Sequence, residues 1–311
     1  MDSVATPNKP RLRVGLAQLP SLPGQVDANL LALEACLGRM APDCDLVCFC
    51  ELFLCGYGPD EAAACAEPAD GPSYRRVSAA ARAHGVAVVY GFAELNADGV
   101  TKHIALNWVS KEGGLVLTYR KAHLWTPSAF ESNHFTRGTE ALAPLVELRG
   151  VRVGVLICFD VEVVEPARHL ALQGCQLLLV HGCNGDPFTV ETLVKVRAFE
   201  NHCHLIYVNS CDAPCCGGSA AVDPRGNFLD PTPLPGAGSS VSEAVVCVDP
   251  ERPDLVDHRL RNPLFAVRQP HMYKLDGHRS DGHPPPARAK AAEAKATEAP
   301  VFAATAAAAD K

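Results

Sequence analysis

The chain has 311 residues, a formal net charge of −7, and 48% hydrophobic against 20% charged residues. That is the composition of a globular protein, and mild acidity without a Lys/Arg stripe argues against a nucleic-acid partner. No segment approaches the roughly 20 apolar residues that a membrane-crossing helix needs. The opening "MDSVATPNKPRLR" lacks the apolar core of a secretory signal, and fourteen cysteines fit a reducing compartment. The expected setting is therefore the cytoplasm, with no membrane contact.

From Leu12 onward, short β-rich runs alternate with helical stretches. "LRVGLAQL" reads as a strand, "DANLLALEACLGRMA" as a helix, and "CDLVCFC" as a second strand. The helix "PSYRRVSAAARAHG" follows and stops at Gly85. "VAVVYGFAEL", "HIALNWVS" and "LVLTYRK" then read as three strands, the last two forming a hairpin around Gly113-Gly114. Further on come the strand "VRVGVLIC", the helix "EPARHLALQG", the strand "QLLLVHG", the helix "TVETLVKVRAFENH" and the strand "CHLIYVNS". "GSAAVDP" and "SSVSEAVVCVD" complete the set. Alternation of this kind implies an α/β layered fold, and the back-to-back strands favour mixed sheets over a purely parallel one. From Gly277 the composition shifts to Pro and Ala, too poor in large apolar side chains to offset the entropy of ordering. Three segments are thus expected: a short extension over 1–11, one domain over 12–276, and a disordered tail over 277–311.

Four side chains stand out along this framework. In "DLVCFCELFLCGYGPDE", Glu51 directly follows an apolar strand, a costly place for a carboxylate unless it turns to solvent or has a partner. Lys121 ends the strand "LVLTYRK", where a solvated basic pair would be ordinary. Glu131 lies between aromatics in the loop-like "PSAFESNHFTRG", where a surface acid would be ordinary. Cys158 stands at the last strand position of "GVLICFDVEVVEPARHL", ahead of a helix whose first turn suits Pro166. A cysteine there is either core packing or a nucleophile whose thiolate is favoured by turn amides and a helix dipole.

Taken together and in this order, these stretches resemble the nitrilase superfamily of carbon–nitrogen hydrolases, in its amidase-like branch. The family pattern places a glutamate before a Gly-Tyr turn, matched by "CELFLCGYG". It places a lysine in Tyr-Arg-Lys-x-His-Leu, matched by "YRKAHLW", and a cysteine in Cys-Tyr/Phe-Asp, matched by "ICFDVE". "FESNHFTRG" matches a second family glutamate, "VRAFENHCHLIYVN" a helix and strand, and "GGSAAVDPRGNFL" a hairpin. The resemblance spans about Leu12 to Leu275.

The resemblance implies a four-layer α-β-β-α sandwich with two mixed β-sheets. It also implies a thiol mechanism without metal or organic cofactor. Cys158 would attack a carbonyl carbon, and Glu51 would serve as general base and acid. Lys121 and the Phe159 backbone N–H would steady the oxyanion, and Glu131 would hold Lys121 charged, orient it or position the substrate nitrogen. A small-molecule linear amide is the expected substrate and a homodimer or larger homo-oligomer the expected assembly. Trp125, His181 and Asn184 adjoin the matched segments and are candidates for the substrate pocket, although each also suits a structural role.

The chain departs from the family in three places. Cys50 replaces a common proline before Glu51, the helix after the nucleophile reads "VVEPAR", and "VHGCNGDPF" replaces a Pro-Thr-Ala segment beside the pocket. The last bears on substrate rather than mechanism. N-carbamoyl hydrolysis and nitrile hydrolysis are alternatives, but neither the Trp-Glu pair of nitrilases nor a basic or histidine residue follows Cys158. A catalytically silent subunit would not need all four residues, and an acyl transferase would use the same thioester. "NHCHLIYVNSCDAPCC" is rich in His and Cys but lacks the paired spacing of a zinc site. Its Cys215-Cys216 pair is the first place to expect oxidation.

Overall fold

A computed structural model describes residues 11–125, 129–139, 142–236 and 241–273. The expected tail, 277–311, lies outside the described residues, as does the N-terminal extension apart from Arg11. Contacts divide the chain after Phe265. The second unit is described from Ala266 to Tyr273 and holds one 3-10 turn, Pro270–Met272. All further description concerns the first unit.

That unit is built on two mixed sheets. The first contains β1 (Leu12–Gln18), β2 (Leu46–Cys48), β3 (Ala87–Leu95), β4 (Lys102–Val109), β5 (Leu115–Arg120) and β11 (Ser242–Val248). Its order is β11-β1-β2-β3-β4-β5, with β1, β2 and β3 parallel and the outer pairs antiparallel. The second contains β6 (Val146–Leu148), β7 (Val151–Ile157), β8 (Leu177–His181), β9 (His204–Val208) and β10 (Ala220–Val222). There β7, β8 and β9 run parallel between antiparallel edges.

Strand alternation decides how the sheets are covered, because successive side chains point to opposite faces. Val153, Val155 and Ile157 of β7, with Leu177 and Leu179 of β8, pack into the core shared with the first sheet. Leu156, Leu178 and Val180 face the other way, onto α5 (Val164–Leu172) and α6 (Val194–Glu200). On the outer face of the first sheet lie α1 (Val26–Met40) and α3 (Pro72–His84). Leu30, Leu33, Leu37 and Met40 of α1 recur at helical spacing and are buried. Helix α3 stops at Gly85, whose φ of +66° is open to glycine without penalty. The result is the expected α-β-β-α sandwich.

Four elements escaped the sequence reading: β6, α2 (Pro59–Ala64), α4 (Ala129–His134) and α7 (Pro253–Arg261). The loop expected around Glu131 is helix α4. The two six-residue helices are too short to show a 3.6-residue apolar period, and β6 too short to show alternation.

The site-bearing residues follow the ends of strands. Glu51 lies just beyond β2, Lys121 beyond β5, Cys158 beyond β7 and Cys183 beyond β8. The Glu51 segment can cross β3 only because residue 91 is glycine. A Cβ on Gly91 would lie 2.4 Å from the Leu52 nitrogen and 2.6 Å from the Cys50 carbonyl oxygen. Both are backbone atoms, with the crossing pinned by Leu54 N–H donating to the Gly91 oxygen at 3.1 Å. Gly91→Ala is therefore expected to destabilise the protein by about 1–3 kcal/mol in denaturant titration. It should also displace Glu51 and lower activity further than the loss of folded protein explains.

Candidate active site

The centre is a buried chain of charges. Lys121 Nζ donates to Glu51 Oε1 at 2.7 Å and to Glu131 Oε1 at 2.7 Å, and none of the three side chains reaches solvent. Glu131 also accepts the Tyr57 hydroxyl at 2.6 Å and, through Oε2, the Trp125 backbone N–H at 2.7 Å. Its position on α4 thus makes it the anchor of the cluster rather than a surface acid. By contrast, Glu51 Oε2 is buried with no hydrogen-bond partner among the described residues.

Cys158 opens a 3-10 turn, Cys158–Val161, at a φ of +45°. A non-glycine residue in the left-handed region costs of order 1–3 kcal/mol and persists only where its surroundings over-determine it. Here the brace is Asp160, fully buried, which accepts the Ile157 N–H at 3.1 Å and the Tyr119 hydroxyl at 2.8 Å. Asp160 Oδ1 accepts the His123 backbone N–H at 2.9 Å and pairs with His123 Nδ1 at 2.9 Å. The Cys158 turn is thereby tied to the strand end that carries Lys121. Among the described residues, the Phe159 N–H makes no hydrogen bond outside its own turn. Tyr207 Oη lies 4.0 Å from Cys158 Sγ, an approach allowed by Gly182, where a Cβ would sit 2.2 Å from that hydroxyl oxygen.

Burial sets the ionisation. It pushes the Glu51 carboxyl up to about 7, with Lys121 opposing and Glu131 adding to the rise. Burial would pull the Lys121 ammonium down, but Glu51, Cys158 and Glu131 outweigh it and hold lysine above its ordinary range. Burial and then Glu51 raise the Cys158 thiol, against Lys121 and the Cys183 backbone N–H. The expectation that turn amides favour a resting thiolate therefore yields to desolvation. The thiol keeps its proton until a base takes it.

The three expected pocket residues sit elsewhere. A cavity of about 120 Å³ opens at Glu51 and is lined by Ser21, Leu22, Tyr57, Cys183, Asp212 and Pro214, among others, but not by Trp125, His181 or Asn184. His181 is buried and donates from Nδ1 to the Phe49 carbonyl at 2.5 Å, linking β8 to the strand end before Glu51. Burial pulls its pKa down to about 4, so the ring stays neutral. Asn184 braces a loop by donating to Glu162 at 3.0 Å and to Thr189 at 3.2 Å. Trp125 contributes its backbone N–H to Glu131, while its ring is exposed. The sequence by itself does not single out Tyr57, Asp160, Cys183 or Tyr207 as site residues. Asp160 and Tyr57 stood inside quoted motifs, but nothing local to "HLIYVN" shows that Tyr207 meets the Cys158 sulfur.

Cys215 approaches Cys183, not Cys216, with sulfurs 2.7 Å apart at the cavity wall. A disulfide needs about 2.05 Å, a small further movement. Hydrogen peroxide is expected to couple this pair in a Cys158→Ala background, lowering the intact mass by two hydrogens, and Cys215→Ser should prevent it. A bridge mapped by peptide analysis to Cys216 would contradict the geometry.

The model of the carbon–nitrogen hydrolase family matches residues 13–243. A Pseudomonas protegens protein described as a hydrolase in the pqqF 5' region is 35% identical over 270 residues, covering 84% of this chain and 90% of its own length. An (R)-stereoselective amidase of a Pseudomonas species is 37% identical over 226 residues, covering 70% of this chain and 80% of its own. Among solved structures, a double mutant of the amidase of Nesterenkonia sp. AN1 in complex with acrylamide superposes with a TM-score of 0.72. It is 26% identical and covers 86% of this chain and 98% of its own. Another variant of that amidase, at a TM-score of 0.72 and 25% identity, carries the acetamide moiety of fluoroacetamide on its active-site cysteine; 87% of this chain and 98% of that chain are covered. A family match over most of the sequence, joined to a fold shared with these amidases, leads to one conclusion: this chain belongs to the carbon–nitrogen hydrolases of the nitrilase superfamily.

Proposed function

We propose that the chain hydrolyses small linear amides to a carboxylic acid and ammonia or a small amine, through a thioester on Cys158. The observation that carries this reading is the unpartnered Oε2 of Glu51, on a carboxyl group raised to about 7 beside the Cys158 thiol. A carboxyl poised near neutrality can both accept and return a proton at working pH.

In the first step the Cys158 proton passes to Glu51 as the sulfur bonds to the amide carbon and the carbonyl electron pair moves to oxygen. Lys121 Nζ has three N–H groups, two of them spent on Glu51 and Glu131. The third serves the oxyanion, with the Phe159 N–H as second donor. Collapse then breaks the C–N bond while Glu51 protonates the departing nitrogen. Water, deprotonated by Glu51, attacks the thioester, and the acid leaves as the thiol is restored. Asp160 and Glu131 position these groups, and the reaction calls on no metal or organic cofactor.

The matched amidase names support amide over nitrile or carbamoyl bonds. We also propose residues 12–276 as the hydrolase domain, a homodimer or larger homo-oligomer as the working assembly, and the cytoplasm as the compartment. The last rests on fourteen unbridged cysteines. Among the described residues, no helix is long and apolar enough to cross a membrane.

Ammonia release from a panel of primary amides, N-carbamoyl amino acids and nitriles tests the reading. Amide turnover that disappears in Cys158→Ala, and falls by about 10²–10⁴ in kcat for Glu51→Gln, is expected. Turnover confined to carbamoyl compounds or nitriles would overturn the substrate class. The pH profile gives a separate check. Because Glu51 works as a base only when ionised, kcat/KM should rise with pH through about 7. A profile that is flat or falling between pH 6 and 8 would remove Glu51 from that role.

A further inference from the structure

The cavity that opens at Glu51 carries a charge which the hydrolytic steps do not use. Asp212 lines it, held in place by the Ser21 N–H, which donates to Oδ2 at 2.6 Å. Ser21 itself lines the same cavity, so the carboxylate bridges two of its walls. The loop is fixed from behind as well: the Asp212 N–H donates to Ser210 Oγ at 3.3 Å, and the Cys215 N–H donates to the Asp212 carbonyl at 2.7 Å.

Oδ1 of Asp212 has no hydrogen-bond partner among the described residues, and no cationic side chain pairs with the group. Among the described residues, none that lines the cavity is Lys, Arg or His. The nearby cation, Lys121, is already shared between two carboxylates. Leu22, Pro23, Tyr57 and Pro214 give the wall its apolar and aromatic part, and Glu51, Ser210 and the thiols of Cys50, Cys183 and Cys215 complete it. A small concave site of this kind fixes a ligand's orientation through its few polar groups. Here the fixed charge is negative, which attracts a cation and repels a carboxylate.

We propose that Asp212 selects linear amides whose far end is a protonated amine, by accepting a charge-assisted hydrogen bond from that ammonium. The assignment rests on the amidase reading above and narrows its substrate to amino amides. It makes Asp212 a specificity residue: it touches the substrate's distal end and takes no part in proton transfer. The same carboxylate disfavours amides that end in a carboxylate.

Isosteres provide the test. Glycinamide and β-alaninamide carry an ammonium at neutral pH where propionamide and butyramide carry a methyl group, and succinamate carries a carboxylate. For the wild type at pH 7 and low salt, kcat/KM is expected to be higher for at least one cationic amide than for its uncharged isostere, and lowest for succinamate. An ammonium also activates the carbonyl inductively, but it does so equally in any variant. The decisive quantity is therefore the cationic-to-neutral ratio of kcat/KM in wild type against Asp212→Asn. That ratio should fall roughly tenfold, the effect of one charge-assisted hydrogen bond. If the variant does not fold, the wild type suffices: raising the salt concentration should compress the cationic preference and relieve the discrimination against succinamate. Hydrolysis of the uncharged amides as fast as the cationic ones, or a ratio unchanged in Asp212→Asn, would overturn the assignment while leaving the amidase reading intact. No release from any of the five compounds, with release from nitriles or carbamoyl compounds, would overturn that reading and the assignment with it.

Discussion

The structure turns on one ammonium group held between two carboxylates out of reach of water. Lys121, Glu51 and Glu131 come from the ends of two strands and from a short helix, and each side chain is fully buried. Such an arrangement adds little stability over a well-packed apolar core, because desolvating the charges offsets their attraction. Removing one partner is another matter and typically costs about 3–5 kcal/mol, since the remaining charge is left uncompensated. The cluster therefore fixes relative positions. Strand ends β2 and β5 and helix α4 must meet within hydrogen-bond range, or the interior holds an unpaired ion.

That constraint supplies the reactivity. A carboxyl in a dry setting with a second carboxyl nearby resists ionisation, while the shared lysine keeps the rise moderate. The Cys158 thiol is raised by the same burial and by the same glutamate. The sulfur therefore stays protonated at rest, and in the proposed mechanism its activation depends on proton transfer to Glu51 at the moment of attack. A standing thiolate would be open to oxidants. A thiol beside a poised base becomes nucleophilic when substrate excludes the remaining solvent.

The second constraint is backbone strain. Leu52 and Cys158 both have positive φ, at +50° and +45°. These two bends carry the chain away from β2 and β7 beside Glu51 and at Cys158. Asp160 holds one bend through the Ile157 N–H. Gly91 and Gly182 leave room for the Glu51 segment and for the Tyr207 ring. Strain, glycines and the buried aspartate are parts of one device, since loosening any of them moves Glu51 or Cys158.

Much of this was legible in the amino-acid order. Alternating apolar runs gave ten of the strands and four of the helices, and the ordered motifs that resemble the nitrilase superfamily singled out Glu51, Lys121, Glu131 and Cys158. Local chemistry suffices for the elements, because a period of 2 or 3.6 is a property of short segments, whereas the site residues needed several motifs read together. Tertiary structure alone decided that Glu131 is buried on a helix rather than exposed in a loop, since six residues carry no readable period. It also decided that His181 and Asn184 brace the scaffold instead of lining the cavity. The pairing of Cys183 with Cys215, the reach of Tyr207 to the sulfur, and the carboxylate of Asp212 at the cavity wall depend on contacts between distant segments. No pattern within one segment encodes which distant side chain will complete it.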